Sequence, residues 1–207
     1  MKIEILKPFG PSIAKVKIPS ETIFSMNEFV EEIIKDKKRS EDLDYGSNLA
    51  GNVQQEFKLD LEFMKKNSWA EFLGKACQEW LKQGHNISVK KFEIISSWIV
   101  RQFKNEYNPI HYHGGHISGV GYLKVPVDMG QTIQKNKNVQ QNGKLVLIDG
   151  SKKLLCNPTY VITPELGDFY LFPSYMMHTV YPFSNTLEER RSVSFNAKID
   201  DESATLR

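Results

Sequence analysis

The chain has 207 residues, of which 40% are hydrophobic and 25% charged, and its formal net charge is +2. This size and composition are typical of a globular protein, so we expect a single domain over residues 1–207. The small net charge argues against nucleic acid or an anionic membrane surface as a partner.

The first 16 residues lack the apolar core of a signal peptide, and no later segment is apolar for long enough to span a bilayer. The two cysteines, Cys77 and Cys156, lie far apart and form no CxxC motif. Free thiols of this kind are typical of a reducing compartment. We therefore expect a cytoplasmic protein.

Residues 1–86 are predicted to form a mixed layer of strands and helices that supports the rest of the chain. Alternating patterns predict short strands over residues 2–6 and 13–18. A helix is expected to begin at Ser25, with Glu28 completing a capping box, and to end in the charged residues 35–44. Its apolar face would consist of Phe29, Val30, Ile33 and Ile34.

A second helix is predicted to begin at Ser68 and to end near Gly84. Ser68 and Glu71 have the spacing of a capping box, and glycine is common just past the end of a helix. The apolar residues at helical spacing are Trp69, Phe72, Leu73, Ala76 and Trp80. We expect the tryptophans to lie in the core rather than to bind a ligand.

From residue 87 onward the sequence is dominated by short strand patterns. The predicted strands are residues 89–104, 118–125, 144–148, 160–163, 168–172, 178–182 and 190–199. Seven strands with few helices between them indicate an antiparallel sandwich or barrel over residues 87–199. The polar segment 128–143 interrupts the pattern and is expected to be a mobile loop, which either closes over a pocket or has no role.

A cluster of histidines carries most of the functional information. His111 and His113 are spaced i and i+2 at the end of a strand pattern, so their side chains point to the same face. His178, on a distant strand, could complete one face of a metal site. Imidazole suits iron, zinc, copper and nickel, so the pattern predicts a transition metal without identifying it.

Four blocks of sequence, in this order, resemble the 2-oxoglutarate- and Fe(II)-dependent dioxygenases, most closely their small prolyl-hydroxylase-like members. The blocks are the His111-Tyr112-His113 motif with residues 118–123, residues 164–168 running into 172–174, His178, and residues 190–196. The resemblance covers about the C-terminal half of the chain. It implies a double-stranded β-helix (a cupin-like jelly roll), mainly β with flanking helices.

The resemblance also implies Fe(II) held by His111, His113 and His178, with 2-oxoglutarate as cosubstrate. The superfamily usually has a carboxylate where this chain has His113, so the site is one negative charge short and Fe(II) should be held less tightly. Whether Asp128 or Asp149 supplies a carboxylate instead is left open by the sequence.

The far carboxylate of 2-oxoglutarate requires a cation, and arginine binds carboxylates through a planar fork. Arg190 and Arg191 are adjacent on a strand, so only one of them can face the pocket. The family's Arg-x-Ser pattern and the polar face of the strand favour Arg190 with Ser192, while Arg191 stays an alternative. Tyr122 is expected either to add a hydroxyl to this pocket or to be a plain core residue.

Three further polar residues are expected to lie outside the site. His116 is expected to be exposed, although it could also support the metal site or contact the substrate, and His85 is expected at the surface. Asp168 follows Gly167 and is interpreted as a turn residue. No catalytic residue is expected beyond the metal centre, because iron and oxygen supply the chemistry.

The function implied is hydroxylation of an unidentified substrate, a small molecule or a peptide side chain, with release of succinate and CO₂. Two alternatives stay open: a cupin-type dioxygenase with a three-histidine iron site that does not use 2-oxoglutarate, and a barrel that binds a ligand without catalysis. Zinc-dependent hydrolysis is disfavoured because no glutamate adjoins the histidines in sequence. The sequence does not indicate the oligomeric state.

Overall fold

The computed structural model describes residues 1–6, 10–131 and 139–200. Its β-strands are β1 (Glu4–Leu6), β2 (Ile13–Lys17), β3 (Gln55–Lys58), β4 (Phe92–Gln102), β5 (Asn108–His111), β6 (Ile117–Lys124), β7 (Leu145–Ile148), β8 (Thr159–Ile162), β9 (Asp168–Pro173), β10 (Met177–Val180) and β11 (Arg190–Ile199). Its α-helices are α1 (Ser20–Ile33), α2 (Lys37–Asp42), α3 (Leu61–Lys66) and α4 (Trp69–His85), and a 3₁₀ turn covers Gly46–Asn48.

The strands form two antiparallel sheets. The larger sheet has seven strands in the order β1-β2-β9-β6-β11-β4-β3, and the smaller has four in the order β5-β10-β7-β8. This is the jelly-roll architecture expected from the sequence, mainly β with flanking helices, and that prediction is confirmed. None of the helices in the described residues is long and apolar enough to cross a membrane.

Two apolar cores lie on opposite faces of the large sheet. One packs the helices against it and contains Trp69, Trp80, Phe169 and Phe195, each at most 2% exposed. The other lies between the two sheets and includes Leu147 of the small sheet. Period-two alternation explains this arrangement, because successive residues of a central strand point into different cores.

The N-terminal half takes part in the large sheet rather than only supporting it. β1 and β2 extend one side of that sheet beyond β9, and β3 pairs with β4 at the opposite edge. The sequence did not predict β3 or the short helix α3. Because β3 has only four residues, its alternation is too short to stand out from a loop.

The start of the first helix was predicted wrongly. α1 begins at Ser20, directly after Pro19, and not at Ser25, whose hydroxyl instead donates to the carbonyl oxygen of Glu21 at 2.9 Å. The charged residues after it also form a helix. There, α2 is capped by the Asp36 carboxylate, which accepts a hydrogen bond from the backbone N–H of Arg39.

The long helix α4 lies where it was predicted, but neither of its predicted caps forms. Ser68 has left-handed backbone angles and makes no capping hydrogen bond, while Glu71 pairs with Lys75 at 2.6 Å. Gly84 lies inside the helix, which ends at Asn86 in the left-handed region. Asparagine tolerates that conformation through its short polar side chain, so it replaces the expected glycine.

Asp168 closes the predicted turn, because its backbone N–H donates to the carbonyl oxygen of Glu165 at 3.0 Å, but its side chain has a further role that was not predicted. It is the first residue of β9, is fully buried, and pairs with Lys15 at 2.9 Å and with Lys17 at 2.5 Å. Burial alone would raise the pKa of Asp168, but the hydrogen bonds from both lysines outweigh burial and lower it. The two lysines thus hold a buried carboxylate ionised where β2 meets β9.

We predict that Asp168→Asn destabilises the fold by about 1.5–3 kcal/mol at pH 7, the range for hydrogen bonds to charged groups. A carboxyl whose pKa is lowered by folding stabilises the native state above its unfolded pKa, and this stabilisation is lost as the pH falls through the folded pKa. The difference in the free energy of unfolding between Asp168→Asn and the wild type should therefore be smaller at acid pH. Urea unfolding at pH 7 and at pH 3 measures it.

Asp42→Asn, an exposed carboxylate at the end of α2, serves as the control and should leave stability unchanged at both pH values. A deficit of Asp168→Asn that is equally large at both pH values would contradict the role assigned to the ion pairs.

Candidate metal and cosubstrate site

Three imidazoles converge between the two sheets. Pairing of β5 with β10 places His178 directly opposite His111, and His113 follows two residues after His111. The backbone N–H of His113 donates to the carbonyl oxygen of Ser174 at 2.9 Å, which ties its segment to the turn after β9. Strand pairing and this turn therefore bring together residues that are 65 or more positions apart in the chain.

The three side chains are close enough to bind one cation. One potential ligand atom from each histidine lies within 4.8 Å of the other two. The ring centroids of His111 and His178 are 4.2 Å apart, and the ring of His113 is 4.9 Å and 5.0 Å from these two. In the described residues, this is the one group of histidine, cysteine and carboxylate side chains with such spacing.

Burial keeps the imidazoles neutral and ready to donate a lone pair. Desolvation lowers the pKa of His178 to about 3 and that of His113 to about 4, and it also lowers the pKa of His111. Nδ1 of His111 lies 2.7 Å from the carbonyl oxygen of Pro109, and Nδ1 of His178 lies 2.9 Å from that of Met176. Because Nδ1–H donates to a carbonyl in each case, Nε2 of both rings keeps the free lone pair that a metal ion would require.

Neither carboxylate considered from the sequence joins the histidines. Asp128 accepts hydrogen bonds from the backbone N–H of Gly130 at 2.7 Å and from Asn185 at 3.0 Å, at an exposed turn. Asp149, just after β7, is likewise not part of the metal-capable group. Both ends of the segment 128–143 are described, but residues 132–138, and with them the prediction of a mobile loop, lie outside the described residues.

Arg190 extends from β11 into the cavity that the histidines line. The cavity has a volume of about 40 Å³, and its walls include all three histidines, Arg190, Ser192 and Ser194. Arg190 is 2% exposed and donates a hydrogen bond to the side-chain oxygen of Gln102. Its Nε has no hydrogen-bond partner among the described residues, so the guanidinium retains donor capacity in a buried place.

Arg191 points to the opposite face of β11, towards the helices. Its guanidinium donates to Glu189 at 2.9 Å and to Glu31 at 2.8 Å, and also to the side-chain oxygen of Asn27 at 3.0 Å. Burial alone would raise the pKa of Glu189, but hydrogen bonds from Arg191 and Arg101 lower it. The charge of Arg191 is therefore balanced within the protein, whereas Arg190 has no carboxylate partner among the described ion pairs.

The two residues predicted to assist Arg190 lie beside it in different ways. Ser192, 3% exposed, lines the cavity on the same face of β11. Tyr122 lies behind the arginine, with its ring centroid 5.1 Å from the guanidinium carbon, and its hydroxyl is buried beside the guanidinium. Burial raises the pKa of that hydroxyl, so it remains protonated and able to donate.

Two histidines predicted to be exposed are in fact half-buried and structural. Nδ1 of His116 accepts a hydrogen bond from the backbone N–H of Ile199 at 3.1 Å. His85 bonds to the hydroxyl of Ser12 at 2.6 Å, and its ring packs edge-on against Trp80. Neither interaction is visible in the sequence, because both join segments that are distant along the chain.

Several polar residues around the histidines were not predicted from the sequence. Gln102 orients Arg190, and the only sequence signal was a polar residue on the buried face of a strand rich in apolar residues. Glu56, on the unpredicted strand β3, lines a second cavity together with His111 and His113. Burial, followed by the charges of Asp44 and Glu106, raises the pKa of Glu56 to about 7.

Comparison with known proteins agrees with this geometry. Residues 96–196, close to half of the chain, match the family model described as "Putative 2OG-Fe(II) oxygenase". No curated protein matches the sequence. The matched segment begins in β4 and ends in β11, so it contains the three histidines, Arg190 and Ser192.

Several solved structures share the fold at low sequence identity. A prolyl-4-hydroxylase from Pseudomonas putida is 13% identical, with a TM-score of 0.55 over 90% of this chain and 91% of that one. A prolyl hydroxylase from Trichoplax adhaerens, in complex with a hypoxia-inducible-factor peptide, is 15% identical, with a TM-score of 0.55 over 93% and 84%. The α-ketoglutarate-dependent epimerase SnoN from nogalamycin biosynthesis is 13% identical, with a TM-score of 0.59 over 89% and 76%.

The fold and the family match together define the class of the protein. Residues 96–196 match the 2-oxoglutarate- and Fe(II)-dependent oxygenases, as the resemblance in the C-terminal half predicted. The match assigns this part of the chain to enzymes of the 2-oxoglutarate-dependent dioxygenase type, whose metal is Fe(II) and whose cosubstrate is 2-oxoglutarate.

We predict that His178→Ala weakens Fe(II) binding by at least about 100-fold, since losing a ligand should cost no less than losing a supporting contact. Metal content after anaerobic dialysis against Fe(II) measures the effect. His116→Ala is the matched control and should keep stoichiometric iron, because that ring bonds to the backbone near the end of β11. Full iron content in His178→Ala would contradict the site.

Proposed function

We propose that the chain hydroxylates its substrate at an iron ion bound by His111, His113 and His178, with 2-oxoglutarate held by Arg190. The observation that carries the proposal is a buried guanidinium with a spare donor in the same cavity as three neutral imidazoles. A buried cation without a carboxylate partner is costly, and a dicarboxylic acid would supply that partner.

The three histidines fit a ferrous ion. Imidazole nitrogen is a common ligand of iron, and a single face of protein ligands leaves positions free for other molecules. Two of the rings are oriented by carbonyl groups of their own segments, which is the usual support for a metal-binding histidine. We infer that His113 itself is the third ligand in place of a carboxylate, because no carboxylate joins the group among the described residues.

The polar groups around Arg190 fit the far carboxylate of 2-oxoglutarate. Arg190 would provide charge and N–H donors, Ser192 a hydroxyl in the cavity wall, and Tyr122 its buried hydroxyl. Gln102 holds the guanidinium in place by accepting one of its N–H groups. These residues bind and orient; none of them needs to transfer a proton.

When bound, iron and 2-oxoglutarate supply the oxidising chemistry, in which succinate and CO₂ are released and the substrate is hydroxylated. The protein contributes a dry, positively charged end to the cavity and rigid strands that position the ligands. The solved relative with a bound peptide supports a peptide side chain as one possible class of substrate, with a small molecule as the other. We place the enzyme in the cytoplasm, where its free cysteines Cys77 and Cys156 would stay reduced.

A three-histidine dioxygenase that does not use 2-oxoglutarate is the second candidate, and the presence of His113 at the carboxylate position is the observation that favours it. That enzyme would have no use for an arginine in the cavity wall. This candidate predicts that neither the wild type nor an Arg190 variant requires 2-oxoglutarate for activity.

We predict that Arg190→Met retains iron but raises the KM for 2-oxoglutarate by about 100-fold, the scale for losing a charge-assisted bidentate contact. Succinate formation at increasing concentrations of 2-oxoglutarate measures the effect. Methionine fills similar space without a buried charge, so the fold should tolerate it.

Arg191→Met is the matched comparison on the neighbouring position. It leaves Glu189 and Glu31 without their cation, so it should lower the melting temperature while changing the KM for 2-oxoglutarate little. A raised KM for 2-oxoglutarate in Arg191→Met, with an unchanged KM in Arg190→Met, would contradict the proposal and show that Arg191 binds the cosubstrate.

A further inference from the structure

A buried carboxyl group, that of Glu56, adjoins the histidine site and forms no ion pair within the described part of the chain. Glu56 on β3 lies opposite Val100 of β4, and both face away from the helical core into which the next pair, Phe57 and Ile99, points. Glu56 is 2% exposed, and its Oε2 has no hydrogen-bond partner among the described residues. Burying such a group is costly unless something binds it.

The carboxylate lines a cavity that opens beside the metal site. This cavity has a volume of about 160 Å³ and shares Trp98, Asn108, His111 and His113 with the smaller cavity that contains Arg190. The side-chain oxygen of Asn108 is also buried and has no hydrogen-bond partner among the described residues. A ligand placed here would therefore reach from Glu56 to the histidines.

The two oxygen-bearing side chains converge on one point of the cavity wall. A Cβ atom added to Gly51 would lie 2.7 Å from Oδ1 of Asn108 and 2.9 Å from Oε1 of Glu56. Because Gly51 has no side chain, the space next to these two oxygens stays open. A side chain at position 51 would fill that space.

The charges around the carboxylate define the ligand that would suit it. The ionisable groups that act most on Glu56 are Asp44 and Glu106, which are both acidic. No ion pair of Glu56 with a lysine, arginine or histidine is found among the described residues. The cavity is therefore bordered at one end by the carboxyl group of Glu56, with two further acidic groups near it, and at the other end by imidazoles.

We propose that this cavity is the substrate subsite, and that Glu56 and Asn108 bind a cationic nitrogen of the substrate, an ammonium or a guanidinium group. The inference rests on the proposed function for the position of the reacting carbon beside the histidines. Acceptor oxygens suit an N–H donor, and Trp98 adds an aromatic ring where a cation can be stabilised further. Tyr112, 69% exposed, lies at the rim, where a longer chain would leave the cavity.

The cation can come from a free amine or from a basic residue of a peptide, and matched probes distinguish these sources. The probes are N-acetyl-lysine amide, the capped tripeptide Gly-Lys-Gly, and the same two molecules with norleucine in place of lysine. Binding is measured by calorimetry on protein loaded with redox-inert Zn(II) and 2-oxoglutarate. Tighter binding of the tripeptide than of the single residue would indicate a peptide substrate, and equal binding a small amine; both support the subsite.

We expect the lysine probes to bind and the norleucine probes to bind at least about tenfold more weakly, with Glu56→Gln removing this preference. Gly51→Ala should also weaken the lysine probes, because its methyl group enters the space between the two oxygens. Glu93→Gln, an exposed carboxylate on β4, should behave as wild type. Glu56→Gln replaces a buried carboxyl group by an amide of the same shape, and its melting temperature reports whether it folds.

Lysine and norleucine probes of equal affinity, lysine binding unaffected by Glu56→Gln, or no lysine binding at millimolar concentration would each overturn the subsite. Succinate formation by the wild type is followed in parallel. A protein that turns over 2-oxoglutarate but does not prefer the cationic probes rejects the subsite alone. A protein that prefers them but forms no succinate rejects the oxygenase proposal and leaves the cation site standing.

Discussion

The alternation of side chains along β11 is the constraint on which the rest of the site depends. The strand is central in the large sheet, paired on one side with β4 and on the other with β6. Its fixed register sends Arg190, Ser192 and Ser194 into the cavity. The intervening Arg191 meets acidic residues near the helices, and a slip of one residue would exchange the two arginines. One strand thus holds the helical layer and supplies the charged end of the proposed cosubstrate pocket.

The small sheet contributes the opposite wall of the cavity. Its pairing of β5 with β10 sets His178 across from His111, and the turn after β9 fixes the segment that carries His113. The metal ligands we propose and the arginine are therefore held by different sheets. The distance between them is set by the packing of the core between the sheets, which includes Leu147, Phe172 and Val180. This explains why a site of polar groups needs a large apolar framework.

The sequence predicted those features that depend on local pattern. The spacing of His111 and His113 indicated that their side chains lie together, although His113 lies just beyond β5, and the order of the four blocks indicated the jelly roll. What it missed depends on contacts between distant segments: the carboxylate of Asp168 between two lysines, the ring of His116 against Ile199, and the short strand that carries Glu56. Caps were also predicted poorly, since Ser25 and Ser68 have capping neighbours in sequence but not the required backbone position.

We propose that iron and 2-oxoglutarate meet between the histidines and Arg190. Anaerobic titration of 2-oxoglutarate into the Fe(II)-loaded protein tests this arrangement, because chelation by the 2-oxo acid produces a visible metal-to-ligand charge-transfer band. We expect a band that saturates at one equivalent per iron. Iron that binds stoichiometrically but never develops the band would contradict it.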